Sequence, residues 1–406
     1  MSKQTAEAQN SQIRLNRLLV LTLAATAGIT VANLYYIQPL LAEIARSFHL
    51  TQVNVSFSAT LTQIGYALGM LLLLPLADIR EKKSFILFMM GCSVCALLFM
   101  ASARSSAVLY AAAFTVGFTS IVPQLILPLA AQLADPKERG RIIGTIMSGL
   151  LIGILLSRVF SGLIGENLGW ESVYLIAGAF IILMGVFLIF RLPQCPSASK
   201  MKYTELFRSM ISLFRELPLL RETSLLGGLM FAAFNSFWTT LSFLLAGPHY
   251  RLGADAAGLF GLVGVAGAVA APYAGRIADK RGPRFTITLG IGAVGLSFIC
   301  FLVFGFQLAG LITGVILLDL GVQSCHVSNF SRIHSISNEA RNRINTIFMV
   351  SYFIGGAAGS YLGSLSYGRF GWPGVCAVGL LTQLLAIGVH LRGYKRGLQT
   401  TGIKNI

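Results

Sequence analysis

Apolar residues along this chain fall into runs of about twenty, the length a helix needs to cross some 30 Å of hydrocarbon. Twelve runs can be read, near residues 17 to 42, 53 to 76, 84 to 103, 106 to 133, 141 to 164, 171 to 192, 222 to 246, 255 to 276, 284 to 304, 308 to 334, 343 to 364 and 373 to 391. Short polar intervals separate them. The first run follows Arg14 and Arg17 and contains the small residues "AATAG", which resembles a cleavable leader. Because it continues apolar to Leu41 and has a counterpart in the second half of the chain, no cleavage is expected.

The pattern repeats on a larger scale. The segment "RGRIIGTIMSGLLIGILLSRVFSGLIGENLGW" from Arg139 to Trp170 lies without a gap on "RNRINTIFMVSYFIGGAAGSYLGSLSYGRFGW" from Arg341 to Trp372. The same register brings Asn33 onto Asn235, Tyr35 onto Phe237 and Tyr36 onto Trp238, and one residue less brings Asp78 onto Asp279. Polar and glycine punctuation held in register across several segments predicts a duplicated six-helix unit. The expected halves are residues 1–192 and 222–406, with 193–221 as linker. Within the linker Tyr203, Leu206, Phe207, Met210, Ile211, Phe214 and Leu217 follow helical spacing opposite Lys202, Arg208 and Arg215. That predicts a short amphipathic helix, lying on the membrane surface or packed on the loops.

Composition agrees with the pattern. Residues are 55% hydrophobic and only 11% charged, against roughly a quarter charged in soluble domains. The net charge of +16 does not point to nucleic acid, because the basic residues are not gathered on one face of a soluble domain. Of the 31 lysines and arginines, only Arg46, Arg104, Arg251 and Arg369 fall in the loops opposite the termini, and Arg158 lies inside a span. This asymmetry places both termini in the cytoplasm of a multi-pass protein of the cell (inner) membrane. Cys92 and Cys95 form a C-x-x-C inside a span without further ligands, so no metal site is expected, and the six cysteines are expected to be reduced thiols. No G-x-x-x-x-G-K-[ST] loop, Gly-Lys dipeptide or H-E-x-x-H is present, which leaves no cofactor and no enzyme to propose.

Six plus six spans with a basic side and a central linker resemble the major facilitator superfamily. The resemblance rests on the loop motif G-x-L-x-D-R-x-G-R-[RK]. "GRIADKRGPR" (Gly275 to Arg284) is the better copy, and "LPLADIREKK" has Leu74, Ile79 and Glu81 at three motif positions. The resemblance implies an all-α fold of twelve transmembrane helices in two pseudo-symmetric bundles, and a transporter. It also implies a cytoplasmic gate: Asp78, with Lys82 and Lys83 nearby, facing Arg341 and Arg343, and Asp279, followed by Arg284, facing Arg139 and Arg141. The alternative is solvated turns carrying topogenic charge. The glycine-proline pair of antiporter members is replaced by Ser157 and Arg158, and the arginine of many drug exporters by Ala113.

Chemistry concentrates in a few helix faces. Asp319 interrupts "LITGVILLDLGVQSCHVSNF", and His326 follows two turns later on the same face. A carboxyl withdrawn from water favours its neutral form, which suits Asp319 for carrying a proton, with His326 as a second titrating group. Plain burial and packing are the alternatives for both. Arg158 either snorkels to headgroups, about seven residues (some 10 Å) from its helix end, or faces inward as partner of Asp319. Small-residue stripes, Gly149, Gly153, Ser157 and Ser161, then Gly355, Gly359 and Gly363, and Gly258, Gly261, Gly264 and Gly267, suit sliding helices.

Resemblance further implies that the first, fourth, seventh and tenth spans line a central cavity. Asn33, Tyr35, Tyr36, Gln38, Asn235 and Trp238 are the candidate solute contacts, an interfacial aromatic belt being the alternative for Tyr36. Gln124 between Pro123 and Pro128 predicts a broken helix with a polar group in the cavity. The expected activity is proton-coupled efflux of a small organic molecule (drug, sugar or metabolite) by alternating access, by a monomer in the lipid bilayer. Proton-coupled uptake and a non-transporting receptor are the alternatives.

Overall fold

The computed structural model describes residues 16–135, 138–194, 202–337 and 340–402, and they are helical throughout. The helices are α1 (Arg17–Ala32), α2 (Ile37–Ser47), α3 (Gln52–Asp78), α4 (Lys82–Ala101), α5 (Ser106–Thr119), α6 (Val122–Leu133), α7 (Arg139–Leu168) and α8 (Trp170–Arg191), then α9 (Tyr203–Glu216), α10 (Pro218–Ala246), α11 (Ala254–Val263), α12 (Val265–Arg281), α13 (Pro283–Phe304), α14 (Leu308–His334) and α15 (Arg341–Gly402). Among the described residues, ten helical segments are long and apolar enough to cross a membrane. The pair α1–α2 counts as one such segment, as does α5–α6, and residues 341 to 393 form a single one. That last segment is broken at Gly371, whose φ of 65° lies in the region glycine adopts without strain. Helices α11 and α12 are the two pieces of the expected eighth span, interrupted at Gly264. Cys195 lies outside the described residues; the other five cysteines are free thiols.

The breaks within spans have chemical causes. Pro39 has no N–H to give the Tyr35 carbonyl, and the chain turns over 33–36 just before it. Pro123 likewise frees the Thr119 carbonyl between α5 and α6; Ser93 Oγ donates to it at 2.9 Å, replacing the lost backbone bond. The break expected at Pro123 is therefore present, while Pro128 lies inside α6 without interrupting it. Phe88, Phe190, Val303 and Leu384 point out of the bundle, as side chains do where the surrounding solvent is lipid.

Within each half the first and fifth spans approach closely at matching positions. A Cβ on Gly28 or Gly153 would collide with the backbone of α7 or α1, and one on Gly355 with Gly228 of α10. Gly359 meets Ala232 in the same seam. The stripes on α7 (Gly149, Gly153) and α15 thus hold each half together. Gly258 and Gly261 on α11 instead meet Arg158 and Gly162 of α7, across the two halves. The halves also touch where α3 meets α15: Thr60 donates to Ser360 at 3.3 Å and Tyr66 packs edge-on against Phe353 at 4.5 Å. The amphipathic helix forms as α9, with Leu206 and Met210 buried but Ile211 and Phe214 exposed. It bridges the halves, for Tyr203 Oη donates to the Leu72 carbonyl of α3 and Ser209 accepts from Arg343 of α15.

Candidate functional site

Four helices bring amides and one guanidinium into a buried chain at the centre. Arg158 on α7 is 2% exposed, so it faces inward and does not snorkel. Its Nε donates to Gln38 Oε1 on α2 at 2.9 Å; Gln38 Nε2 donates to Asn235 Oδ1 on α10 at 3.3 Å, and Gln63 Nε2 on α3 reaches the same oxygen at 3.5 Å. The guanidinium lies 4.0 Å from the Trp238 ring centroid, 5.0 Å from Tyr35 and 5.5 Å from Phe234. Aromatic faces stabilise a cation that has given up water. This chain runs from one half into the other.

Asp319 enters from α14, buried at 8% exposure. It makes no ion pair with Arg158 within 4 Å, although each is close enough to sense the other's charge. Asp319 Oδ2 and Arg158 Nη2 are both buried without a hydrogen-bond partner, as are Trp238 Nε1, Asn33 Oδ1 and Gln63 Oε1. Buried polar atoms are normally satisfied. Four of these unsatisfied atoms, the donors Arg158 Nη2 and Trp238 Nε1 and the acceptors Asp319 Oδ2 and Gln63 Oε1, belong to residues of this cluster and mark a place where a further polar group would be stabilised. Gly264, at the α11–α12 break, faces Asp319: a Cβ there would lie 3.5 Å from Oδ1.

The remaining expected contacts are distributed differently. Asn33 donates to Ser120 Oγ at 3.1 Å. Tyr36 is buried against Phe160 and Tyr174 inside its own half and so does not stand in an interfacial aromatic belt. Gln124 donates to Tyr66 Oη at 3.3 Å and lines a cavity of about 50 Å³ with Asp78, Lys82, Asn342 and Asn345. That volume holds water, not an organic solute. His326 stacks among Phe330, Phe348 and Tyr352, with Nδ1 unpaired.

The expected gate pairs are not assembled in this conformation. Asp279, Arg139 and Arg141 are exposed, and no ion pair joins them. Asp78 is within electrostatic reach of Arg343 but forms no ion pair with it, and Arg343 donates to Ser209 instead. Arg341 occupies the first turn of α15. Lys82 Nζ donates to Gln132 and Lys83 Nζ to the Ile189 carbonyl, both within the first half. Arg284 pairs with Glu222 at 3.3 Å, and Arg332 pairs with the other oxygen of that carboxylate at 2.9 Å. At the opposite end of α7, Gly162 meets Ala254 and Gly258 of α11 in close backbone contact.

Gln63, Phe234, Glu222 and Arg332 were not singled out from sequence. Gln63 had a signal, an amide in the middle of "TLTQIGYALG"; Glu222 sits in the first turns of a span and reads there as a topogenic or solvated charge.

A family model, the Major Facilitator Superfamily, matches residues 23–360. An uncharacterized transporter of Escherichia coli O157:H7, YgaY, is 40% identical over 93% of this chain and 96% of its own length. A probable sugar efflux transporter of Helicobacter acinonychis is 24% identical over 86% and 88%. Among solved structures, the nucleoside transporter NupG superposes with a TM-score of 0.73 at 14% identity, covering 93% of this chain and 98% of that one. A bacterial homolog of the lysosomal transporter Spinster, inward-facing and occupied, gives 0.70 at 14% identity, covering 93% and 96%. With the family model spanning most of the chain and a 40% identical relative along nearly all of it, the protein belongs to the Major Facilitator Superfamily and is a multi-pass membrane transporter, not an enzyme.

Proposed function

We propose that this transporter couples proton entry to the export of a small organic molecule (drug, sugar or metabolite) by alternating access, acting as a monomer in the cell (inner) membrane. Its twelve spans are arranged as two halves, 1–192 and 222–406, joined by 193–221, with both termini cytoplasmic. One observation carries the reading: Asp319 from the second half and Arg158 from the first enter the same buried polar cluster, each with an unpartnered atom. A solute whose hydroxyl or amide groups both donate and accept completes that cluster. A proton arriving on Asp319 removes the charge that holds the solute and attracts Arg158, so proton and solute exclude one another. Mutual exclusion across a rocking pair of halves is antiport. The Helicobacter relative, named for sugar efflux, supports the direction and an oxygen-rich solute.

The test is flux in proteoliposomes under an imposed pH gradient, with a panel of sugars and lipophilic drugs. Export predicts solute moving against the proton flow. Asp319→Asn, which lacks the charge that holds the solute, should abolish gradient-driven accumulation and weaken solute exchange as well. Solute moving with the protons would establish uptake, and saturable binding without flux would establish a receptor.

A further inference from the structure

We infer that Glu166 is a positioning residue of transport: its carboxylate, at the end of α7 far from the basic loops, latches the first half onto the N-terminus of α11 and holds that end of the passage shut. The contact is direct. Glu166 Oε2 accepts from the Ala254 N–H at 2.8 Å, and residue 253 is a glycine whose missing side chain gives the carboxylate its place. A helix N-terminus presents unpaired N–H groups and a positive dipole end, so an acid there forms a charge-assisted bond. The cap comes from the other half of the molecule, whereas α1, α3, α4 and α5 are capped by the side chain of the residue just before each. It stands over the glycine crossing of Gly162 with Ala254 and Gly258, so parting the halves at this end must break it.

The latch is one-sided. The internal repeat puts Gly368 where Glu166 stands, and the pseudo-equivalent helix α3 is capped locally, the Asn54 N–H donating to Thr51 at 3.3 Å. Glu43 lies within electrostatic reach of Glu166, and also of Glu171 and Arg46. Glu43 Oε2 is buried beside Gly165 with no partner. This inference rests on the alternating access proposed above but on neither proton coupling nor the identity of the solute.

The experiment reads conformation directly, so its outcome is separable from any failure of the flux assay. In a cysteine-free background, spin labels at Arg104→Cys and Ala309→Cys report the distance between the two halves at the far end; both positions are exposed. Glu166→Ala should raise the ratio of far-end-open to far-end-closed molecules roughly tenfold, about the effect of one charge-assisted hydrogen bond. Glu166→Gln, which keeps an acceptor oxygen but no charge, should fall between the two. Gly253→Ala, which leaves the acid in place and drives a methyl into it, should open the same end and serves if Glu166→Ala does not fold. A folded Glu166→Ala or Gly253→Ala protein with the parent's distance distribution would overturn the latch.

Discussion

Asp319 is an acid whose nearest cation is committed elsewhere. Arg158 is held by Gln38 through Nε and by three aromatic faces, while its Nη2 and Asp319 Oδ2 both lack a hydrogen-bond partner. An ion pair that is close but unmade lets a small change of geometry exchange one partner for another. Removing Arg158 exposes the cost of the arrangement, because a buried carboxylate without a counter-charge is strongly unfavourable. Arg158→Ala should lower stability by about 3 kcal/mol, read as a drop in melting temperature of the purified protein. The double variant Arg158→Ala/Asp319→Asn should recover a large part of that loss. Additive losses would mean that the two residues do not share one electrostatic environment.

At the scale of helices, α7 does two different things along its length. Near Gly153 it is fused to α1, while near its start Gly140 and Gly144 would place a Cβ with nothing within 4 Å. Gly144→Ala should therefore leave stability unchanged or raise it by about 0.5–1 kcal/mol through helix propensity, whereas Gly153→Ala should cost about 1–3 kcal/mol by overpacking. Thermal denaturation of both variants separates the fixed seam from the free end. The spans were legible in sequence because hydrocarbon thickness dictates run length, and the α5–α6 break was legible because Pro123 removes a donor. The turn at 33–36 had the same signal in Pro39 but passed as continuous apolar helix. The sequence reading took all three glycine stripes as sliding surfaces. Only the one on α11 crosses the halves, a distinction that depends on which helix each stripe faces and that periodicity does not contain. The Glu222–Arg284–Arg332 cluster was likewise hidden, since its members lie 62 and 110 positions apart on separate helices. Arg284, one of the expected gate residues, is a member of this cluster.

On the scale of the whole molecule, the latch proposed at Glu166 and the gate proposed from Asp279, Arg139 and Arg141 act on opposite states. Glu166 stabilises the conformation seen here. Asp279 with Arg139 and Arg141, when assembled, would stabilise the other, in which the basic end is shut. Asp279→Asn should then shift the population toward the present conformation. A cysteine placed at Gly144, on the exposed early part of α7, should react faster with a membrane-impermeant maleimide applied to the basic face. Glu166→Ala should slow that reaction, because opening the far end closes the basic one. Combining the two substitutions should return the rate close to the parent's, since each removes stabilisation from a different end of the same equilibrium. Should the double variant simply reproduce one single variant, the two ends would not be coupled through rigid halves, and the rocking of one bundle against the other would have to be replaced by independent movement of single helices.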